Sequence, residues 1–270
     1  MGEKSDMTLQ VLVAAMNQRD HALPEQMNLQ SDALIGNQCD RNAVEEFSYR
    51  GHCIRYYSFA ERGVGLNRNT TLMRASADIV LFADEDVVYA NGYADTVLRA
   101  YAEHPEADVI VFNMKMSNCG EPPHDVVFQN RYVGRRGVSP FGAVCISART
   151  RALKRANVTF HRMFGGGAEF GSGEDTIFLQ DCVRRGLRVF TCTQTLGCAA
   201  AGASTWFKGY TDEYFFDKGV LFYYLYPRLA GPLVVYHALK HRRDYAQRGV
   251  RVAVSRMRRG VCSARRGVLR

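Results

Sequence analysis

The sequence lacks a C-x-x-C pair among its eight cysteines, lacks any H-E-x-x-H-like spacing among its seven histidines, and has a single tryptophan. The cysteines (39, 53, 119, 145, 182, 192, 198 and 262) fall largely in apolar runs, where a thiol behaves as a small hydrophobe. A disulfide framework and a zinc centre are therefore not expected, and a reducing, cytoplasmic setting is. The opening MGEKSDMTLQ has neither the basic region nor the long apolar region of a signal peptide, so export by that route is not expected. There is no internal repeat, no P-loop pattern and no G-x-G-x-x-G, which removes the dinucleotide-binding class. A membrane-spanning helix needs about 20 uninterrupted apolar residues. The most apolar stretch, Gly219–Leu239, is broken by Pro227, Arg228 and Pro232 and reads as two short helices.

What is present is a chain of 270 residues, 47% hydrophobic and 23% charged, enough to bury a sizeable core as one globular domain with a small appendage. Short apolar runs at Leu9–Met16, Asp32–Gly36, Cys53–Phe59, Asp78–Ala83, Asp108–Met116, Gly142–Ala148 and Arg188–Cys192 read as strands. Between them Tyr93, Val97, Leu98 and Tyr101 share one helical face, as do Ile177, Phe178 and Cys182 before Gly186. This alternation predicts an α/β fold with a mostly parallel sheet flanked by helices. The expected division is a main domain over 1–216 and an aromatic, then arginine-rich extension over 217–270. The net charge of +8 gathers there: from Arg242 to Arg270 there are ten arginines and one acid, Asp244. Such a tail favours anionic partners or is simply a solvated helix.

Three clusters can carry chemistry. The apolar strand ending in Asp84-Glu85-Asp86 places like charges together, an arrangement that suits a hard divalent cation and a substrate diphosphate, although acidic caps after strands are also common. Gly165-Gly166-Gly167 through Gly173 leads into Glu174-Asp175 at a helix start, where the helix dipole favours carboxylates and where a plain N-cap is the alternative. Glu61 to Asn69, with Gly63 and Arg68, is a glycine and arginine loop before a helix that can hold phosphate.

In this order and at these separations the clusters resemble the family 2 glycosyltransferases of GT-A fold, over roughly residues 8–216. Their pattern is met by Met16-Asn17 at the end of the first strand, Asn37-Gln38-Cys39-Asp40 after the second, Gly63 with Arg68-Asn69, Asp84-x-Asp86, and Glu174-Asp175. The resemblance is to bacterial members that build surface polysaccharides, which also accounts for the Ser204-Thr205-Trp206-Phe207 and Tyr214-Phe215-Phe216 runs. It implies a nucleotide-diphosphate sugar as donor and a saccharide or lipid-linked acceptor. It further implies Mn²⁺ or Mg²⁺ on Asp86 and Asp84, and a donor site from Met16, Asn17, Asp40, Gly63, Arg68 and Asp84. Asp175 is then the general base, with Glu174 orienting base or acceptor, and Gly166, Gly167 and Trp206 near the sugar or acceptor. Two departures stand out: the acidic pair usual after the second strand is here Asn37 to Asp40, and a histidine usual late in the domain is replaced by Cys198-Ala199-Ala200-Ala201, leaving the metal's third protein ligand unassigned. Neither Q-x-x-R-W nor membrane helices are found, which points to single additions. The aromatics Phe222, Tyr223, Tyr224 and Tyr226 before the basic tail suit the inner face of an anionic membrane; nucleic acid is not an expected partner. A sugar nucleotidyltransferase and a non-catalytic binding module are the rival readings. The first wants a glycine-rich signature that Ala14 to Arg19 lacks, and the second leaves Asp84, Asp86 and Asp175 without a purpose.

Overall fold

The computed structural model describes residues 7–116, 125–135, 137–138, 141–199 and 209–267. Ten strands form one sheet: β1 (Leu9–Met16), β2 (Asp32–Gln38), β3 (Ala43–Tyr49), β4 (His52–Phe59), β5 (Ile79–Asp84), β6 (Val87–Tyr89), β7 (Val109–Met116), β8 (Arg131–Val133), β9 (Ile146–Arg149) and β10 (Val189–Ala199). Their order is β3-β4-β2-β1-β5-β9-β7-β10-β6, with β8 on β10. The run β4-β2-β1-β5 is parallel, and so is β7 with β10. β9 is inserted antiparallel between β5 and β7, and β3, β6 and β8 are antiparallel additions, so the sheet is mixed.

The central strands are apolar on both faces because helices cover both. Val11, Leu12, Val13, Ile79 to Ala83 and Val109 to Phe112 are all buried, as parallel strands sandwiched by helices require. The helices are α1 (Leu23–Gln26), α2 (Val64–Arg74), α3 (Tyr93–Glu103), α4 (Thr150–Ala156) and α5 (Glu174–Arg184), followed by α6 (Asp212–Leu225), α7 (Ala230–Lys240) and α8 (Val250–Arg265). None of the helices described is long and apolar enough to cross a membrane.

Buried asparagines stand in for backbone at several joints. Asn67 on α2 donates to the carbonyl of Gly36 on β2 at 2.7 Å. A Cβ at position 36 would lie 2.0 Å from Asn67 Oδ1, so only glycine admits the helix this close. Asn69 and Phe160 exchange two bonds of 2.8 Å. Asn113, on β7, accepts from the N–H groups of Val126 and Val127 and donates to the carbonyls of Val127 and Thr193. Thr193 lies where the β7–β10 register shifts, between Cys192 and Thr195, so the amide fills a gap in the ladder.

The chain divides into two compact units, one of 1–162 with 174–203 and one of 163–173 with 204–270. The second unit contains α6, α7 and α8 around Phe215, Val234, Ala238, Tyr245, Ala253 and Met257. The α6–α7 break falls at Tyr226 to Leu229, whereas Pro232 is tolerated in the first turn of α7, where its missing N–H has no helical partner to lose. α6 and α8 cross closely: a Cβ on Gly219 would meet the Met257 carbonyl oxygen at 2.0 Å, and one on Gly260 the Phe216 carbonyl oxygen at 2.1 Å. The tail is thus folded as a helix with one face, Ala253, Met257 and Gly260, buried.

Candidate active site

The carboxyl ends of β1, β2 and β5, with the first turns of α2 and α5, bring the expected acids and the loop arginine together. In open α/β sheets this is where ligands sit. Arg68 leaves the first part of α2 and is 4% exposed. Its Nη2 donates to Asp84 Oδ1 at 2.7 Å. Its Nη1 donates to Glu174 Oε1 and to Asp175 Oδ1, both at 3.1 Å. Three carboxylates from positions far apart in sequence therefore meet on one guanidinium. Burial opposes charge on Arg68, but Asp84, Asp175 and Glu174 outweigh it and hold its pKa above that of an ordinary arginine. The guanidinium carbon also lies 5.2 Å from the centre of the Phe160 ring. Phe160 stacks on Phe178 at 4.2 Å, and Phe82 meets both edge-on, so a rigid aromatic floor supports the cluster.

Asp175 sits in the first turn of α5 with a quarter of its side chain open to solvent. Its pKa is raised well above the usual carboxylate range, first by desolvation and next by Glu174, with Arg68 and a bond from the Ala143 backbone pulling the other way. A carboxylate of raised basicity, held in place and partly exposed, is suited to accept a proton from a hydroxyl. Gly142 and the short 3₁₀ turn Ala143–Cys145 line its other side. The Cys145 thiol is pushed up to about 12 by burial and by Asp175, so it is an inert neighbour. Sequence reasoning did not pick out this turn, whose residues resemble any strand entry.

The acidic triplet is split in its tasks. Glu85 turns back: its Oε2 accepts from the Met16 N–H at 3.1 Å and from Gln18 Nε2 at 2.6 Å. It ties the end of β1 to the end of β5. Asp86 is exposed, and its carboxyl is raised by partial desolvation and then by Asp84 and Glu85. Among the described residues no three His, Cys, Asp or Glu side chains are arranged to hold a metal ion. Asp84 and Asp86 offer two hard oxygen donors in an anionic corner, which fits a divalent cation that completes its shell with phosphate and water.

Asn17 has left-handed φ of 55° and bonds through its N–H to the Gln38 carbonyl at 3.0 Å. The next residue, Gln18, is clamped by Asn37, which accepts from the Gln18 N–H and donates to its carbonyl. Asn37 is thus occupied in shaping the Met16-Asn17 turn. Asp40 lies outside the cluster, with its side chain 95% exposed and paired to Arg62 at 3.1 Å. Gly63, φ 118°, caps α2, and its carbonyl accepts from Gln38 Nε2. Gly166 and Gly167 belong to the second compact unit, in a turn closed by the Gly165 N–H donating to the Phe170 carbonyl and the Phe170 N–H to the Met163 carbonyl, and anchored by the Gly171 N–H to Asp217. Trp206, with Ser204, Thr205 and Phe207, lies outside the described residues, as does the loop over 118–123. Of the aromatics before the tail, Phe222 packs on His237 and Tyr224 lies near Phe164, so these rings are engaged within their own unit.

A mixed sheet whose strand ends gather an aspartate pair, a buried arginine and a helix-borne aspartate is the architecture of a GT-A glycosyltransferase. The sequence agrees. Residues 40–132 match the model of the family described as glycosyl transferase family 2, a stretch that contains Gly63, Arg68, Asp84 and Asp86. The resemblance drawn from the residues is met by the family model over that stretch and by the fold. No curated protein matches the chain. Among solved structures it is similar to TarS of S. aureus: with TarS 1-349 in complex with UDP-GlcNAc the TM-score is 0.64 at 15% identity, covering 97% of this chain and 92% of that one. Against a longer TarS chain the TM-score is 0.56 at 16% identity, and the present chain spans 39% of its length. A mannosyltransferase of Pyrobaculum calidifontis, PcManGT in complex with GDP-Man and Mn²⁺, gives 0.51 at 12% identity over 96% of this chain and 75% of that one.

Proposed function

We propose that the chain transfers a sugar from a nucleotide-diphosphate donor to an acceptor hydroxyl with inversion at the anomeric carbon, in the assembly of a bacterial surface polysaccharide. The observation that carries this reading is the buried Arg68, which holds Asp84 at the donor end and Asp175 at the acceptor end of one cluster. Asp175 accepts the proton of the acceptor hydroxyl as that oxygen attacks the sugar from the face opposite the leaving diphosphate. Glu174 shares the guanidinium and keeps Asp175 oriented. Because both terminal nitrogens of Arg68 are engaged by carboxylates, it acts here as a positioning residue and not as a diphosphate ligand. Asp86, with Asp84, would hold Mn²⁺ or Mg²⁺, which when bound supplies positive charge to the departing diphosphate. The turn at Met16 and Asn17, braced by Asn37 and Glu85, is the proposed seat of the nucleotide. The complexes of the similar structures with UDP-GlcNAc and with GDP-Man and Mn²⁺ support a donor of this class.

The reading places the protein at an anionic membrane face beside a lipid-linked acceptor, supported by Arg251, Arg258 and Arg259, which are exposed on α8. Hydrolysis of UDP-, GDP-, dTDP- and CDP-sugars with Mn²⁺ tests the chemistry. In that assay Asp175→Asn should keep donor affinity and lower kcat about 10²- to 10⁴-fold, as loss of a general base does. A wild-type rate in the mutant would remove Asp175 from the mechanism. Asp86→Ala should abolish the Mn²⁺ dependence of nucleotide binding measured by calorimetry, and unchanged affinity with Mn²⁺ would remove the metal assignment.

A further inference from the structure

α8 is a helix with two occupied faces. Ala253, Met257 and Gly260 point into the second unit, against α6. A neighbouring stripe, Val250, Val254 and Arg258 at four-residue spacing, faces Val235 and Leu239 of α7 instead. Between the two helices lies a groove of about 610 Å³, within the range of small-ligand sites. Its wall is apolar at Val235, Leu239, Val250 and Val254 and cationic at Arg251, Arg258 and Arg259. Leu239 is 55% exposed and Tyr236 on the same helix 63%, so an apolar strip stays in contact with water.

The arginines around the groove differ in their partners. Arg248, just before α8, and Arg256, on it, reach Asp212 at 3.5 and 2.9 Å. Among the described residues, no carboxylate lies within ion-pair distance of Arg251, Arg258 or Arg259, and these three are the ones that line the groove. A cavity with a hydrocarbon wall and a row of unneutralised guanidinium groups is complementary to a molecule with an aliphatic chain and a phosphate. Inorganic phosphate would leave the valines and Leu239 wet, and a neutral lipid would leave the arginines unpaired.

We infer that the groove between α7 and α8 binds one anionic phospholipid, with its acyl chain against Val235, Leu239 and Val254 and its phosphate at Arg258 and Arg259. This rests on the membrane-surface reading above and deepens it, from attraction by a charged tail to recognition of a lipid by a formed site. Protein and lipid then meet in a defined orientation, because the groove runs along one side of α8 only.

Cys262 lines the groove and is exposed, so its alkylation by iodoacetamide, followed by mass spectrometry of the full chain's peptides, reports occupancy. Dihexanoyl-phosphatidylglycerol at ten times its dissociation constant should slow the reaction about tenfold. Dihexanoyl-phosphatidylcholine and glycerol phosphate should not. Leu239→Glu, at a site already open to water, and Arg258→Glu should each remove the protection while leaving the circular dichroism spectrum unchanged. Protection by glycerol phosphate equal to that by the lipid would overturn the proposal in favour of a plain anion site. If the chain pellets with phosphatidylglycerol vesicles but the short-chain lipid gives no protection, the groove is wrong and the membrane reading survives. Protection without pelleting supports the groove and sinks the membrane reading alone.

Discussion

The two charge-rich regions of this molecule treat arginine in opposite ways. At the strand ends a single guanidinium, 4% exposed, is shared by three carboxylates. On α8 the chain spends arginine freely, and three exposed guanidinium groups have no carboxylate near them among the described residues. A buried charge costs several kcal/mol to desolvate and persists only with its partners in place, so Arg68 is bound to its surroundings and cannot be traded. An exposed charge costs little and remains available to something outside the molecule. The comparison separates a cluster whose charges hold one another still from a surface whose charges are left to the solvent.

The sharpest way to break the comparison is to remove the buried cation. Arg68→Met should destabilise the fold by about 3–5 kcal/mol, because Asp84, Glu174 and Asp175 are left uncompensated. In the same variant the acid limb of the kcat profile should move to higher pH. As the proposed base Asp175 would have to be ionised, its pKa is already raised by burial and Glu174, and Arg68 is the charge that pulls it down. Urea denaturation and a pH–rate profile measure the two effects; a loss below about 1 kcal/mol with an unmoved limb would make Arg68 an ordinary surface-like pair.

Gly260→Ala comes next. In most helices this change stabilises by up to about 1 kcal/mol. Here the added methyl would lie 2.1 Å from the Phe216 carbonyl oxygen, and overpacking should cost about 1–3 kcal/mol instead. A thermal midpoint that rises would show that α6 and α8 are not locked together. The smallest effect belongs to Arg256→Gln. Its pair with Asp212 is 2.9 Å long but both side chains are more than a third exposed, so stability should change by less than about 1 kcal/mol, and less again in high salt.

The parts of the fold legible in the sequence were those with one dominant signal. β1 ends where its apolar run does, at Met16, and α5 begins at Glu174-Asp175, where acids favour a helix start. β3 escaped because its burial alternates between half-covered and exposed, and Glu45, Glu46 and Ser48 give it no apolar run. β6 and β8 are three residues each and exist by pairing with β10. The tail read as membrane-facing or solvated and not as a packed helix, because its buried face, Ala253, Met257 and Gly260, carries one large apolar side chain in a segment dominated by arginine. In the site, residue types announced the acids, but partnership was invisible. Nothing in Asp84-Glu85-Asp86 says that the middle carboxylate turns back to Met16 and Gln18, and nothing in Arg68-Asn69 says that Arg68 is buried among carboxylates while Asn69 braces Phe160.

Asn113 also has a bearing on how this protein can vary. Val126 and Val127, which lie well beyond the end of β7 in sequence, bond with the side chain of Asn113 on that strand, so the positions that flank 117–124 are tied to one strand. Closing a flexible connection between two fixed points costs only about 0.6 kcal/mol more for each doubling of its length. The number of residues between 116 and 125 can therefore change at little cost, while a change at position 113 itself would release Val126 and Val127 and open the gap at Thr193 together.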